Sequence, residues 1–433
     1  MNYAESLRYL EEIQNSGIKF GLDNVEVLLK SLGEPHLQYP CVLVAGSNGK
    51  GSVCAMLTRI LELNGYRAGL YTSPHLVSYQ ERIKIGRTDI TKKDFAAALS
   101  LIRKKIEELI SEKKLLSPPT HFEILTCLAF FYFARKKVDI AVLEVGMGGR
   151  FDATNVVDPI VSVITTISSE HQKFLGKTLR EIAFEKAGII RPDIPVVCGV
   201  KVRTAISEIR KRAEELKAPF HEVFFPANNF KVHEHADGYS FEYRTQNADY
   251  SFTPALLGEH QGKNAAVAIA AAEQLNKVWK NLETDKIRTG VETAVWPGRL
   301  EKINDSPDVI LDGAHNGEGA EALGHYLKKF AHFPVILIFA IMRDKQIKDL
   351  ADILFPLSDS VILTKFPYYR AAQPEEIKRK TQKYADKIRI EPDLNKAMHM
   401  AYEKAAPKGT IVVAGSLFLV GEVKKYWAAN LDS

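Results

Sequence analysis

Cysteines, targeting segments and long apolar runs are scarce in this sequence, and each scarcity excludes a class of protein. The 433 residues hold four cysteines, Cys41, Cys54, Cys127 and Cys198, which are widely spaced and form no Cys-x-x-Cys pair. Neither a zinc site nor a disulfide framework is indicated, so buried reduced thiols are expected. The N-terminus has no secretory apolar core, and the longest apolar runs, near 128–134 and 335–342, are too short to span a bilayer. We expect a cytoplasmic protein.

Charge of one sign is also not concentrated anywhere. The chain carries 58 basic and 53 acidic residues, a net charge of +5, without a block of five or six like charges. The balance gives no reason to expect a nucleic-acid partner. We also expect a monomer without a membrane partner. Because 46% of the residues are hydrophobic, the chain can build a sizeable core, and its length suggests two or three domains.

The most regular feature is the alternation of short apolar runs with longer amphipathic stretches. The runs at 41–46, 138–146, 160–167 and 195–200 are rich in Val and Ile and predict buried strands, and 52–64 predicts a helix. Continuous apolar strands separated by helices indicate a parallel sheet covered on both faces. The fold class is therefore α/β.

Two changes in the pattern of polar and apolar residues divide the chain. Residues from about 224 to 254 alternate polar and aromatic side chains around a turn at Asp237-Gly238, which predicts a small β region. Pro297 and Gly298 then interrupt the periodic patterns on both sides, and a second series of strands and helices follows. We expect a first domain at 1–296 and a smaller α/β domain at 297–433, with the chemistry in the cleft between them.

Gly46-Ser47-Asn48-Gly49-Lys50-Gly51-Ser52 is the most informative stretch. It follows a predicted strand and precedes a predicted helix, as a phosphate-binding loop does. Its glycines let backbone N–H groups surround phosphate oxygens, and Lys50 and the helix N-terminus add positive charge. Gly51 separates Lys50 from Ser52, so the spacing is not a strict Walker A motif. A glycine-rich turn without a ligand is the alternative.

Two carboxylates stand where ligands of open α/β sheets collect, at the ends of predicted strands. Glu144 ends a buried run, where a charge is costly unless it is paired or coordinates a metal. Asp312 ends the first strand of the second series. A structural ion pair is the alternative for Glu144.

Motifs along nearly the whole chain resemble one family. The loop at 46–52 resembles that of the Mur ligase superfamily, and in particular of its folylpolyglutamate synthase and dihydrofolate synthase branch. The family's other motifs follow in order: TSPHL at 72–76, ERI at 81–83, HFE at 121–123, LEVGMGGRFDATN at 143–155, EKAGI at 185–189, PGR at 297–299, LDGAHN at 311–316 and GSLFLVG at 415–421.

This resemblance implies a phosphate-loop ATPase domain, a smaller Rossmann-like C-terminal domain, and an ATP-dependent ligase. Such a ligase phosphorylates a folate carboxylate with ATP to an acyl phosphate, which the amine of glutamate attacks, and we expect two Mg²⁺ ions. By resemblance, Ser73, Glu144 and His171 coordinate magnesium, and Lys186 is carbamylated. The implied catalytic set is Lys50, Glu144, His171, Lys186 and His315.

The resemblance also implies the binding residues. Those for ATP are Asn48, Gly49, Lys50, Gly51, Ser52, Asn264, Arg299 and Asp312. Those for the pterin and glutamate substrates are Lys19, Phe20, Arg82, Thr120, His121, Phe122, Glu123, Arg150, Asp152 and Ser416. The sequence departs from the family at Glu170, where Asp is usual before the metal histidine, and at Gly317, where Pro is usual.

Three other functions remain as alternatives. The enzyme could add glutamate only to reduced folates, rather than also making dihydrofolate from dihydropteroate. A Mur ligase of cell-wall synthesis is expected to carry an additional N-terminal domain, and only 45 residues precede Gly46. A non-catalytic ATP-binding module would need the phosphate loop but not Glu144, His171 and Lys186 together.

Overall fold

The computed structural model describes residues 1–14, 21–115 and 117–430, so the predicted substrate residues Lys19 and Phe20 lie outside the described residues. The helices are α1 (Tyr3–Gln14), α2 (Asp23–Ser31), α3 (Lys50–Leu63), α4 (Lys92–Ser111), α5 (His121–Lys136), α6 (Gln172–Leu175), α7 (Leu179–Ala187), α8 (Arg203–Glu215), α9 (Glu259–Val278), α10 (Thr284–Glu292), α11 (Gly317–Phe330), α12 (Ile347–Leu354), α13 (Pro374–Lys380), α14 (Leu394–Ala405) and α15 (Leu417–Asn430).

The strands form three sheets within the described ranges. They are β1 (Cys41–Ala45), β2 (Ala68–Tyr71), β3 (Ile83–Ile85), β4 (Thr88–Asp89), β5 (Ile140–Glu144), β6 (Val161–Ile164), β7 (Val196–Cys198), β8 (Phe220–Glu222), β9 (Phe230–His235), β10 (Gly238–Arg244), β11 (Asp249–Phe252), β12 (Glu301–Asp305), β13 (Asp308–Leu311), β14 (Val335–Phe339), β15 (Ser360–Leu363), β16 (Ile388–Ile390) and β17 (Thr410–Ala414).

The first sheet has eight strands in the order β4-β3-β2-β5-β1-β6-β7-β8. Its strands from β2 to β8 pair in parallel, and β3 and β4 add an antiparallel edge. Every residue of β1 is buried, because Leu43 faces a core formed with α4 and α5 whereas Val42 and Val44 face one formed with α3 and α9. Burial on both faces explains the uninterrupted apolar run.

The region that alternates polar and aromatic residues forms the three-stranded antiparallel sheet β11-β10-β9. Phe241 packs so closely on α9 that a Cβ at Gly262 would lie 2.2 Å from its ring. The buried carboxylate of Glu273 on α9 accepts hydrogen bonds from Thr245 and Tyr250. Apolar and polar contacts together fix this small sheet on the helix that leads to the cleft.

The second large sheet has six strands in the order β12-β13-β17-β14-β15-β16. Only β12 pairs antiparallel, and the other strands are parallel. Two α/β units with parallel sheets confirm the predicted fold class. Leu76 of the first unit packs into the apolar cluster of the second. A Cβ at Gly421 on α15 would lie 2.0 Å from the carbonyl oxygen of Leu76. In the described part of the chain, no helix is long and apolar enough to cross a membrane.

Candidate active site between the two large sheets

A cavity of about 530 Å³ lies where the loops of the first sheet face the start of the second. Its wall comprises the loop before α3, the carboxyl ends of β5 and β6, the first turns of α9 and α11, and the segment that joins the two units. All residues predicted for ATP, metal and catalysis line it: Asn48, Gly49, Lys50, Gly51, Ser52, Ser73, Glu144, His171, Lys186, Asn264, Arg299, Asp312 and His315.

The loop between β1 and α3 is held in a curled conformation by its own lysine and by the loop after β6. Lys50 Nζ donates to the carbonyls of Gly46 at 2.8 Å and Ser47 at 3.2 Å. The backbone N–H of Asn48 donates to Thr166 Oγ1 at 2.9 Å. α3 begins directly after this loop, so its unpaired N–H groups face the cavity and favour anions.

The glycines of the loop are required by close contacts. Gly49 adopts a φ of +81°, and a Cβ there would lie 2.3 Å from Asn264 Oδ1. A Cβ at Gly51 would lie 2.7 Å from the Trp296 ring. This contact explains why a glycine separates Lys50 from Ser52, since a larger residue there would collide with the segment that joins the two units.

Glu144 lies at the end of β5, with 5% of its surface exposed. Its Oε2 accepts the backbone N–H of Ser73 at 3.0 Å. Burial raises the pKa of Glu144, and the nearby Lys50 opposes that rise. No described residue bonds its second carboxylate oxygen, so this oxygen can bind a cation.

A buried ion pair joins Lys186 on α7 to Glu170 in the loop after β6. Lys186 Nζ donates to Glu170 Oε1 at 2.8 Å and to the Gly46 carbonyl at 2.9 Å. Burial lowers the pKa of Lys186 to about 8. Burial acts to raise the pKa of Glu170, but Lys186 and Lys50 outweigh it and bring that pKa to about 2. The pair therefore holds a positively charged amine and a negatively charged carboxylate next to the phosphate loop.

Two histidines line the cavity, His171 from the first unit and His315 from the second. His171 precedes α6 with a φ of 45°, and burial lowers its pKa. His315 Nδ1 lies 2.8 Å from the Gly313 carbonyl, which places the proton on Nδ1 and leaves Nε2 free to accept one. Burial and Lys345 lower the pKa of His315 to about 4. The imidazole is therefore neutral at physiological pH.

Asp312 and Arg299 stabilise the segment that connects the two units. Asp312 accepts backbone N–H groups from Leu300 and Ala314, each at 2.8 Å. Burial raises the pKa of Asp312, and Arg299 opposes the rise. A Cβ at Gly313 would lie 2.2 Å from Arg299 Nη1, so the guanidinium lies directly over this glycine.

Hydrogen bonds cross the cleft between Asn48 of the phosphate loop and the first turn of α11. Asn316 Nδ2 donates to Asn48 Oδ1 at 2.9 Å, and Asn48 Nδ2 donates to Glu318 Oε2. No sequence motif points to Glu318, because a glutamate in the first turn of a helix is common for electrostatic reasons alone. None points to Lys345 either, which follows β14 and interacts electrostatically with Glu170.

The remaining predicted substrate residues lie outside the cavity wall, and three of them bond the backbone. Glu123 and Thr120 form a capping box at the start of α5, and Asp152 accepts N–H groups from Met147 and Thr154. A Ser/Thr residue followed three positions later by Glu is the sequence signal of such a box. These side chains therefore stabilise local structure whether or not they also contact a ligand.

The other five differ in burial and in the contacts they make. Phe122 is half-buried and packs on the wall at Gly146, where a Cβ would lie 2.5 Å from its ring. Arg150 is exposed against the rings of two phenylalanines. His121 Nε2 lies 3.1 Å from the Tyr79 hydroxyl, and Ser416 Oγ accepts the N–H of Phe418 at 3.2 Å. Arg82 is buried beside His75.

Family models and relatives match nearly the whole chain. The model described as the Mur ligase middle domain matches residues 44–272, and that of the dihydrofolate synthetase C-terminal domain matches 299–426. The dihydrofolate synthase/folylpolyglutamate synthase of Bacillus subtilis is 34% identical over 427 residues, which cover 98% of both chains.

Two solved structures are similar over the whole fold. Mycobacterium tuberculosis folylpolyglutamate synthase complexed with ADP has a TM-score of 0.90 at 30% identity, and covers 98% of this chain and 99% of its own. E. coli FolC in complex with DHPP and ADP has a TM-score of 0.88 at 28% identity, with 100% and 99% covered.

The match to the Mur ligase middle domain and the folylpolyglutamate synthase relatives place the chain in the Mur ligase class of ATP-dependent, amide-forming ligases, and the phosphate loop that faces a second α/β unit across a cleft agrees with this. Within that class, the chain belongs to the dihydrofolate synthase/folylpolyglutamate synthase family. This confirms the predicted family and the predicted activity, an ATP-dependent ligase that joins glutamate to a folate.

Proposed function

We propose that the enzyme activates a carboxylate as an acyl phosphate and that its substrates include both dihydropteroate and reduced folates. A carboxylate oxygen attacks the γ-phosphorus of ATP, the bond to the bridging oxygen breaks, and ADP leaves. The amine of L-glutamate then attacks the acyl carbon, and inorganic phosphate leaves with formation of the amide. The observation that carries this proposal is that the phosphate loop, Glu144 and His315 line one cavity.

We assign the nucleotide to the loop end of the cavity. The N-terminus of α3 and Lys50 would bind the phosphates, since phosphoryl transfer depends on positioning and charge neutralisation. Arg299 adds a second cation from the connecting segment, and Asn264 contacts the nucleotide from α9. Asp312 holds the backbone of that segment in place and lies where a ribose hydroxyl could donate to it.

The donors in the cavity suit Mg²⁺. Among the described residues, no three His, Cys, Asp or Glu side chains group closely enough to hold a metal ion. Mg²⁺ does not require such a group, since it takes one or two carboxylates and completes its octahedron with water and phosphate oxygens. Glu144, with its free oxygen, would bind the ion together with Ser73 and His171. When bound, Mg²⁺ would neutralise charge on the transferred phosphoryl group.

Carbamylation of Lys186 remains part of the proposal. A buried amine with a lowered pKa has a larger neutral fraction, and the neutral amine is the form that reacts with CO₂. The resulting anion would face Glu170, which lies 2.8 Å from Nζ in the unmodified pair. Two adjacent anions need a cation between them, so carbamylation should depend on Mg²⁺.

We assign the incoming glutamate to the part of the cleft near Arg82, His315 and Ser416, with Lys345 as an additional cation. Neutral His315 could accept a proton from the attacking amine through Nε2. The pterin would bind beside Phe122, whose ring offers a stacking face. The family resemblance adds Lys19, Phe20, Thr120, His121, Glu123, Arg150 and Asp152 to this proposed pocket.

The domain limits 1–296 and 297–433, a monomeric state and a cytoplasmic location belong to the same proposal. All four cysteines are free and buried, as expected in a reducing compartment. The cleft between the two units would close on the substrates and exclude water from the acyl phosphate.

The test is glutamate-dependent release of ADP by the purified enzyme with ATP and Mg²⁺, with dihydropteroate and tetrahydrofolate offered separately. We expect turnover with both. Turnover with tetrahydrofolate alone would restrict the enzyme to polyglutamylation, and turnover with neither would contradict the proposal. Glu144→Gln should lose about 100-fold or more in rate, since a metal's contribution amounts to several kcal/mol. Glu273→Gln, at a buried carboxylate outside the cavity, should retain activity.

A further inference from the structure

Arg82 is a buried cation without an anionic partner. It is 8% exposed, and within the described ranges it forms no ion pair and makes one side-chain hydrogen bond. A buried charge is costly unless it is paired and hydrogen-bonded. A guanidinium has five N–H donors, and no described residue accepts a hydrogen bond from the four terminal ones, although Cζ lies 5.7 Å from the centroid of the Tyr79 ring. The burial of Arg82 without a counterion is therefore an observation that points to an anionic substrate group.

Among the described residues, the one side-chain hydrogen bond of Arg82 goes to His75. Arg82 Nε donates to His75 Nδ1 at 2.9 Å. Because arginine always donates, Nδ1 must carry the lone pair, and the proton of His75 must be on Nε2. With Nε occupied, the edge formed by the two terminal nitrogens is the one that can bind a carboxylate in a bidentate manner.

The position of His75 is fixed by the loop that carries it. Its ring packs on that of Tyr79 with centroids 4.4 Å apart, and the Tyr79 hydroxyl lies 3.1 Å from His121 Nε2. The backbone N–H groups at 76, 77 and 78 all donate to the carboxylate of Glu81. The Arg82 carbonyl accepts the N–H of Thr72 at 3.0 Å, which ties the arginine to the same loop.

We propose that His75 is a positioning residue that turns the guanidinium of Arg82 so that its two terminal nitrogens bind a carboxylate of the incoming L-glutamate. This inference rests on the proposed function, in which Arg82 contacts glutamate. Arg82 lies near enough to Glu144 for electrostatic interaction, although no ion pair joins them. The carboxylate held by Arg82 would thus lie near the part of the cavity that Glu144 lines, with the amine directed towards the acyl phosphate.

The test compares three substitutions at His75 by steady-state kinetics with glutamate, ATP and dihydropteroate varied in turn. His75→Leu should raise KM for glutamate about tenfold or more, because it removes a hydrogen bond to a charged group. It should leave KM for ATP and dihydropteroate within about twofold. His75→Asn can place an amide oxygen near the Nδ1 position and should restore KM for glutamate. His75→Gln reaches the Nε2 position instead and should not restore it.

Two further variants separate positioning from a general loss of structure. Tyr79→Phe removes a hydroxyl from the same cluster without touching the bond to Arg82, and should leave KM for glutamate unchanged. Arg82→Lys should raise KM for glutamate, and His75→Leu in that background should add little. Thermal unfolding and circular dichroism confirm that each variant is folded.

Each outcome decides between the proposals. If the wild-type enzyme shows no glutamate-dependent ADP release, the proposed function fails before His75 is tested. If the wild type turns over and His75→Leu leaves KM for glutamate unchanged, this inference alone is overturned. An equal rise in KM for ATP, or full additivity with Arg82→Lys, would also overturn it.

Discussion

The ion pair between Lys186 and Glu170 should be strongly coupled energetically. The two side chains are only 1% and 9% exposed, so water screens their interaction little. Removing one partner of a buried pair costs about 3–5 kcal/mol, because the other charge stays buried without compensation. We therefore expect Lys186→Met and Glu170→Gln each to lower the free energy of unfolding by about 3 kcal/mol, and the double variant to lose much less than their sum.

The assay is a double-mutant cycle measured by urea unfolding, in CO₂-depleted buffer without Mg²⁺ or nucleotide, so that the lysine is unmodified. The control is the pair Arg244–Asp249, whose side chains are 73% and 68% exposed and whose coupling should stay below about 1 kcal/mol. Additive effects at Lys186 and Glu170 would refute the reasoning. A coupling free energy of opposite sign would mean that the two side chains repel each other. This is the result expected if Lys186 were carbamylated and carried a negative charge beside Glu170.

Three other predictions concern the same cavity. The pKa of Glu170 is about 2, below its ordinary value of 4.5, so its stabilising contribution is present above pH 4.5 and lost as the pH falls towards 2. The pH dependence of unfolding should therefore be flatter for Glu170→Gln between pH 5 and 2. Gly49→Ala should weaken ATP binding about tenfold or more in calorimetry, since a left-handed conformation costs a non-glycine residue about 1–2 kcal/mol and the new methyl would displace Asn264. Glu318→Gln should tighten ATP binding a few-fold in the same assay, because it removes an anion near the phosphates while keeping the acceptor for Asn48; unchanged affinity would contradict this.

Local patterns predicted the parts of the site that are local in sequence. The phosphate loop, the strand that ends at Glu144 and the strand just before Asp312 each have a signature within ten residues, because burial and turn chemistry act over that distance. Thr120 and Glu123 were interpreted as substrate residues, although their spacing also signals a helix cap, and the structure shows that cap.

Contacts between distant segments could not be predicted in the same way. The bond from Asn48 to Glu318 joins residues 270 positions apart, and its geometry depends on how the two sheets face each other. Lys186 and Glu170 are 16 residues apart, but helix α6, a loop and most of α7 lie between them. The pairing of Arg82 with His75 depends on a half-buried loop, and its conformation follows no hydrophobic periodicity. These pairings depend on the conformations of the loops, which local sequence patterns do not determine.

The most direct test of the acyl-phosphate mechanism follows the oxygen of the activated carboxylate. Dihydropteroate labelled with ¹⁸O in its carboxylate is incubated with the enzyme, ATP, Mg²⁺ and L-glutamate, and the inorganic phosphate is examined by mass spectrometry. The oxygen that attacks the γ-phosphorus stays on phosphorus when the amine displaces phosphate, so we predict one ¹⁸O atom in the phosphate for each amide formed. Unlabelled phosphate, released together with labelled dihydrofolate alone, would contradict the mechanism.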